Sequence, residues 1–260
     1  MKDRATAVPL PASTTSASAT YIPGALTVSV VSHGQNRLLN QLLLDIDQHC
    51  RGHLTLILIE NIVDPEPLLL PRRFPFTHLV NQQPLGYGAN HNAAFRHCRS
   101  EFFCVLNPDL RLNDDVFPTL IETFADPHVG IVAPKVVNKL GDDEVTARRF
   151  PTPGSILRKA VLGEVQNYHL SGLLSVDWIA GMFMLFRSEA FLSVNGFDEG
   201  YFLYYEDVDI CRRMRDIGME VVVQPRGIVT HDAQRQSHRN PRFLRWHLCS
   251  MVRYFNSRRA

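Results

Sequence analysis

Two apolar stretches, Leu26–Val31 (LTVSVV) and Leu54–Ile59 (LTLILI), enclose a segment in which Leu38, Leu39, Leu42, Leu43 and Ile46 recur at helical spacing. Runs that are apolar at nearly every position suit strands covered on both faces, as in parallel sheets. The helix between them is the crossover that two parallel strands require. The unit recurs downstream, with a third strand near Thr77–Val80, a helix from the Gly86–Asn90 turn to about Cys98, and a fourth strand over Phe102–Leu106. Further strands are expected over Ile131–Val137, Ile179–Phe186 and Met219–Val223. This alternation predicts an α/β domain with a mostly parallel central sheet flanked by helices. At 260 residues the chain has room for one large domain of this kind.

Composition narrows the functional classes. A formal net charge of +1 gives no bulk field for nucleic acid. The five cysteines form no CxxC pair, and four sit in apolar or helical patterns, as reduced thiols of a cytosolic protein do. No stretch reaches the roughly 18 apolar residues of a membrane span, and no signal peptide opens the chain. Residues 1–24, rich in Ala, Ser, Thr and Pro, read as a disordered leader before a domain over 25–232. Residues 233–260 carry no acid and interleave seven arginines with Phe243, Leu244, Trp246, Leu248, Met251, Val252, Tyr254 and Phe255. That pattern predicts a basic amphipathic helix at a membrane surface. Competing readings are nucleic-acid binding and packing on the domain or on the second subunit of a homodimer.

Ligands of open α/β sheets lie beyond the carboxyl ends of the strands. The residues that follow the strands here are Ser32 and His33, Glu60 and Asn61, Asn81, and Asn107-Pro108-Asp109. All are hydrogen-bonding types that suit a nucleotide, although Ser, Asn and Asp are also common turn formers. The turn from Gly86 to Asn92 (GYGANHN) lacks GxGxxG spacing, so no nicotinamide site is assigned.

The densest chemistry lies between Asp177 and Arg213. Its last segment reads as a helix with Ile210, Cys211, Met214 and Ile217 along one seam, and Asp207 falls on that seam. Asp209, Arg212, Arg213 and Asp216 fall on other faces. A carboxylate aimed at a core is costly unless it is paired or used, which singles out Asp207. Glu206 and Asp209 are accounted for as first-turn acids that complement the positive end of the helix.

Trp178-Ile-Ala-Gly181, Gly196-Phe-Asp-Glu199 and Glu206-Asp-Val-Asp209, in that order, resemble the acceptor-side half of an inverting family-2 glycosyltransferase of the GT-A fold. The closest likeness is to its bacterial rhamnosyltransferase-like branch. With the upstream motifs, the resemblance covers about Leu26 to His231. It implies a nucleotide-binding half over 25–110 and an acceptor and catalytic half over 111–232, with the polar segment Asn138–Ser175 as an acceptor loop. It places a divalent cation, Mn²⁺ or Mg²⁺, on Asp109, with His231 completing the metal site. The first acid of that motif is replaced by Asn107, which keeps a carbonyl ligand but no charge and should weaken cation affinity. Ser32, His33, Glu60, Asn61, Gly86, Asn90, Asn107 and Asp109 would hold a nucleotide diphospho-sugar. Asp207 would be the general base, and Trp178, Gly181 and Glu206 would face the acceptor; Trp178 reads equally well as a core aromatic.

The implied reaction moves L-rhamnose from dTDP-L-rhamnose to a lipid-linked glycan acceptor. The protein would be cytoplasmic and peripheral at the inner face of the cell membrane. Alternatives are galactofuranose, N-acetylglucosamine or mannose as the donor sugar, or a non-catalytic nucleotide-sugar or glycan-binding module, which only Asn107 favours.

Overall fold

The computed structural model describes residues 21–163, 168, 172–232 and 241–257. Strand β1 (Ile22–His33) pairs in parallel with β2 (Leu54–Ile62) and with β4 (Ser100–Leu106), and β3 (Phe76–Val80) extends the sheet beyond β2. Helix α1 (Asn36–His49) covers one face and α2 (Tyr87–Phe95) the other. Because side chains alternate along a strand, Val28, Leu56 and Cys104 join the α1-side core. Ile57, Phe103 and Val105 join the α2-side core. Each fully buried Leu, Ile or Phe in these layers is worth about 1.5–3 kcal/mol.

The second half continues the sheet. Strand β10 (Phe183–Arg187) lies antiparallel between β4 and β6 (Val129–Asn138). Beyond β6 come β11 (Glu220–His231), parallel to it, and the short β5 (Leu110–Arg111), antiparallel to β11. Among the described residues the sheet has nine strands, one of them β8 (Leu174–Ser175) beside β11. A separate ribbon joins β7 (Ala147–Arg148) to β9 (Trp178–Ile179). Helices α3 (Phe117–Ile121), α4 (Pro153–Leu162), α5 (Ser188–Ser193), α6 (Glu206–Asp216) and α7 (Pro241–Ser257) complete the chain. Among the described residues, no helix is long and apolar enough to cross a membrane.

The structure departs from the sequence expectations in several places. The first strand begins at Ile22, four residues early, because Ile22 donates its N–H to the Arg99 carbonyl at 2.8 Å. The expected strand over Ile179–Phe186 is broken at Ala180–Met182 into β9 and β10, which belong to different sheets. Strand β11 does not end at Val223 but passes Pro225 through an irregularity between Gln224 and Ile228, so His231 lies on the strand, not past it. Ile217 caps α6 and is 48% exposed, outside the core seam. The polar segment Asn138–Ser175 contains β7, α4 and β8. Leader residues 1–20 and tail residues 233–240 and 258–260 lie outside the described residues.

Candidate active site

Two residues of β5 fix the turn that carries Asp109. Leu110 pairs with His231 across the ladder. Arg111 forms a bidentate pair with the buried Asp45 of α1, at 2.6 Å (Nε to Oδ2) and 2.7 Å (Nη2 to Oδ1). Asp45 also accepts the Leu112 N–H at 3.1 Å. So held, Asp109 Oδ2 lies 3.2 Å from His231 Nε2, and His231 Nδ1 lies 2.8 Å from Glu144 Oε2. The hydrogen bond with Asp109 raises the imidazole pKa to about 9, with a further contribution from Glu144 and against the opposing effect of burial. The ring is therefore protonated near neutral pH.

Asp109 Oδ1 is buried with no hydrogen-bond partner. With His231 Nε2 it makes an oxygen and nitrogen donor set that suits a divalent cation once His231 gives up its proton. Glu144 would then hold the other ring nitrogen and set the ring's orientation. Among the described residues no group of three His, Cys, Asp or Glu is arranged as a ready metal cage. A cation here needs oxygens from its ligand, as cations that bind phosphates do. Asn107 is half-buried and tied down by its backbone, its N–H donating to the Met182 carbonyl at 2.9 Å.

The residues at the ends of β1–β3 form two networks. Ser32 Oγ donates to Asn36 Oδ1 at 2.7 Å, and Asn36 Nδ2 donates to Glu60 Oε1 at 2.8 Å. Glu60 Oε2 lies 2.9 Å from His78 Nε2. The second network is built from amides. Asn61 donates to His33 Nδ1 at 2.9 Å and accepts from Asn81 at 2.8 Å, while Asn81 also donates to Asn90 Oδ1 at 2.7 Å. Asn90 donates back to the carbonyls of Leu85 and Gly86. Of this set His33 and His78 are exposed; Ser32, Glu60, Asn61 and Asn90 are buried and organise the loop. Gly86 serves a different close approach, since a Cβ there would meet the Phe202 carbonyl oxygen at 2.8 Å.

The other corner is the start of α6. Asp207 Oδ1 accepts its neighbour's N–H, from Val208 at 2.8 Å, and Oδ2 accepts the Gly181 N–H at 3.1 Å. Burial raises the Asp207 pKa, opposed by those two amides and by the Arg148 charge. Burial, with Asp207 adding to it, raises that of Glu206 further, and Glu206 Oε2 is buried without a partner. The Tyr87 hydroxyl donates to the Gly181 carbonyl. Its pKa is driven well up by burial first and then by the charges of Glu206, Asp207 and, more weakly, Asp109, which places it between the two corners. Asp209 turns out buried, not on a solvent face, because Arg212 and Arg213 pair with it at 3.2 and 2.7 Å. Trp178 is half-buried: its Nε1 donates to the Arg149 carbonyl at 2.9 Å and Arg148 stacks over its ring. A cavity of about 320 Å³ opens here, with Asp207, Glu206, Trp178 and Tyr205 in its wall.

Helix α7 packs against this corner. Tyr254 is fully buried with Tyr201 and Val208, and Arg253 forms a bidentate pair with Asp198 at 2.8 and 2.9 Å. Tyr204 and Tyr205, immediately before α6, both adopt left-handed backbone (φ 70° and 67°). Such a conformation costs about 1–2 kcal/mol for each L-residue. The His247 ring lies 5.4 Å from each of the two tyrosine rings, and Tyr254 stacks on Tyr205. The domain-packing reading of the tail therefore holds for one face of the helix. Leu244, Leu248 and Val252 lie on the opposite side and are 62%, 47% and 54% exposed.

Glu144 and Tyr87 were missed in the sequence. Glu144 sits in a visible acidic cluster, but no spacing ties it to a histidine 87 positions away.

Residues 59–191, about half of the chain, match the sequence model of glycosyl transferase family 2, and residues 165–238 match one described as the N-terminal domain of galactosyltransferase. The rhamnosyltransferase WbbL of Escherichia coli K12 is 27% identical over 252 residues, which are 89% of this chain and 93% of that protein. An N-acetylglucosaminyl-diphospho-decaprenol L-rhamnosyltransferase of Mycobacterium tuberculosis is 26% identical over 244 residues, 83% of this chain and 78% of that one. Among solved structures, GalNAc-T7 with UDP, GalNAc and Mn²⁺ superimposes with a TM-score of 0.62 at 13% identity, over 84% of this chain. The mannosyltransferase PcManGT of Pyrobaculum calidifontis, with GDP-Man and Mn²⁺, gives 0.58 at 16% identity, over 88% of this chain. This chain spans 45% of the first structure's length and 64% of the second's, and both share its GT-A fold.

Proposed function

Because the chain belongs to glycosyl transferase family 2, we propose that it is a cation-dependent, inverting transferase that moves L-rhamnose from dTDP-L-rhamnose to a lipid-linked glycan. It is a glycosyltransferase with a GT-A fold and rhamnosyltransferase-like relatives. Two relatives named for rhamnosyl transfer support the choice of sugar, and the one named for a diphospho-decaprenol acceptor supports the lipid carrier.

One observation carries the mechanism. The turn Ala180–Met182 is bonded to both corners, through Gly181 N–H to Asp207 and through the Met182 carbonyl to Asn107 N–H, two residues before Asp109. On this reading charge stabilisation and proton removal would be held in one frame. Asp207 takes the proton of the attacking acceptor hydroxyl, and its raised pKa suits a base working near neutral pH. A divalent cation held by Asp109 and His231, Mn²⁺ or Mg²⁺, would offset the charge that develops on the leaving diphosphate. His33, the exposed member of the amide network, would contact the nucleotide, with Ser32, Glu60, Asn61, Gly86 and Asn90 shaping the loop beneath it. Trp178 and Glu206 would line the acceptor side. The exposed stripe Leu244, Leu248 and Val252, flanked by Arg245, would lay α7 on the inner membrane face, where lipid-linked acceptors reside.

The test is sugar transfer from dTDP-L-rhamnose to a short-chain lipid diphosphate-linked N-acetylglucosamine, with and without Mn²⁺. Transfer that depends on the cation supports the reading. Turnover of another nucleotide sugar alone would replace the donor, and no turnover of any would leave only a binding module.

A further inference from the structure

Three guanidinium groups reach the cavity in front of Asp207: Arg148 from β7, Arg149 from the residue after it, and Arg158 from α4. Among the described residues none of the three makes an ion pair, whereas Arg111, Arg212, Arg213 and Arg253 are each paired with an acid. Arg148 is anchored by its contacts to the Val145 carbonyl, at 3.2 and 3.0 Å, and by stacking on Trp178. Arg149 lies over the Tyr168 ring. These contacts orient Arg148 and Arg149, and among the described residues no acid pairs with Arg149 or Arg158. An unpaired cluster of this kind in a concave site is a demand for an anion.

Charge counting narrows the anion. Arg148 is the arginine whose charge acts on Asp207, so the two offset one another. Arg149 and Arg158 remain, which matches the two negative charges of a diphosphate diester. The nucleotide's own diphosphate is an unsuitable occupant, because the wall of this cavity includes none of Ser32, His33, Glu60, Asn61, Asn107 or Asp109. On α4, the helix that brings Ile156 and Arg158 to the wall, Leu157, Val161 and Leu162 are 65%, 70% and 64% exposed and make an apolar rim. An anion that arrives on an apolar chain fits such a rim.

We propose that Arg148, Arg149 and Arg158 form a diphosphate subsite for the acceptor, which holds the lipid-side diphosphate beside the cavity while the sugar hydroxyl faces Asp207. The proposal rests on the reading of Asp207 as the acceptor-side base. It adds that the enzyme selects acceptors by charge next to the accepting sugar.

The test has a binding arm and a kinetic arm, both with the full chain. In the first, decyl diphosphate is titrated calorimetrically into the protein without donor, with decyl alcohol and dTDP as controls. Saturable binding of decyl diphosphate that weakens roughly 10- to 100-fold in Arg149→Gln/Arg158→Gln is expected, the scale of lost charge-assisted hydrogen bonds. Binding no tighter than that of decyl alcohol, or unaltered in the variant, overturns the subsite whether or not sugar transfer is ever found. In the second arm, kcat/KM is compared for N-acetylglucosamine on a decyl diphosphate and on a neutral decyl glycoside. The ratio should fall at least tenfold in the double variant, through KM for the charged acceptor. An unchanged ratio, or a rise confined to KM for the donor, contradicts the proposal. Arg148→Lys keeps the charge and loses the fork, and is expected to lower the same ratio with the fold intact.

Discussion

The backbone amide of Gly181 donates to Asp207 Oδ2 at 3.1 Å, so the residue that breaks the expected strand is also the one that fixes the acid on α6. A Cβ there would meet the Tyr87 hydroxyl at 3.3 Å, close enough that the ring would have to shift by a few tenths of an ångström, and Asp207 Cβ at an ordinary 3.5 Å. The neighbouring Met182 carbonyl bonds Asn107, which makes one short turn the spacer between the two corners of the site.

The metal corner gives the first prediction. Asp109 is the only carboxylate of its motif, and its Oδ1 is buried without a partner. Asp109→Ala should abolish cation-dependent donor binding, whereas Asn107→Ala should weaken it and leave some activity. Calorimetry with donor present reads both. Equal cation affinity in Asp109→Ala and the parent would remove Asp109 from the metal site.

His231 gives a pH prediction. Its folded pKa, about 9, lies above the ordinary 6.5 because of the hydrogen bond with Asp109 and, in addition, Glu144. The folded chain therefore holds this proton more tightly than the unfolded chain does. The stabilisation is complete below about pH 6.5 and is lost as pH rises through about 9. Metal-free melting temperature should fall across that window, and less steeply in Glu144→Gln. Because a ligating imidazole must shed the proton, cation affinity should rise over the same interval. A cation affinity that is flat from pH 6.5 to 9 would exclude His231 as a ligand.

Much of the fold was legible in the sequence, because continuous apolar runs and a five-residue helical face leave few alternatives to parallel βαβ units. The 3.6-residue seam points Asp207 toward the domain, where it lies half-buried in the cavity wall, but it does not anticipate that Glu206 beside it is the more buried acid. The same seam misplaced Ile217, which caps the helix, and Asp209, whose burial depends on Arg212 and Arg213. Periodicity reports the mean direction of a side chain and says nothing of an ion pair that reverses its solvation cost. The Asn61–Asn81–Asn90 network and the Glu144–His231 pair were illegible because they join residues with no shared period. The tail showed its amphipathic character, but which face meets the domain depended on Tyr201 and Val208, far upstream.

Helix α7 supplies a third prediction, one for each face. Tyr254→Ala removes a fully buried ring and should cost about 3–5 kcal/mol, seen as a lower melting temperature. It should also lower transfer, since Tyr205 and the start of α6 lose their support. Leu244→Ser/Leu248→Ser/Val252→Ser alters only exposed positions, each of which should change stability by no more than about 0.5 kcal/mol. That triple variant should lose co-sedimentation with anionic vesicles. Retention on vesicles would rule out the stripe as the membrane contact.

Proton removal by Asp207 is tested by Asp207→Asn, which keeps the shape of the side chain and removes the proton acceptor. Steady-state transfer and donor affinity should be measured together, with Asp209→Asn as the companion. Asp207→Asn should bind donor nearly as the parent does while transfer falls roughly 10²-fold or more, the scale on which loss of a general base registers. Asp209→Asn, which loosens the Arg212 and Arg213 pairs, should show its effect mainly in stability. Transfer by Asp207→Asn at close to the parent rate, with donor affinity intact, would contradict the account and place the base elsewhere.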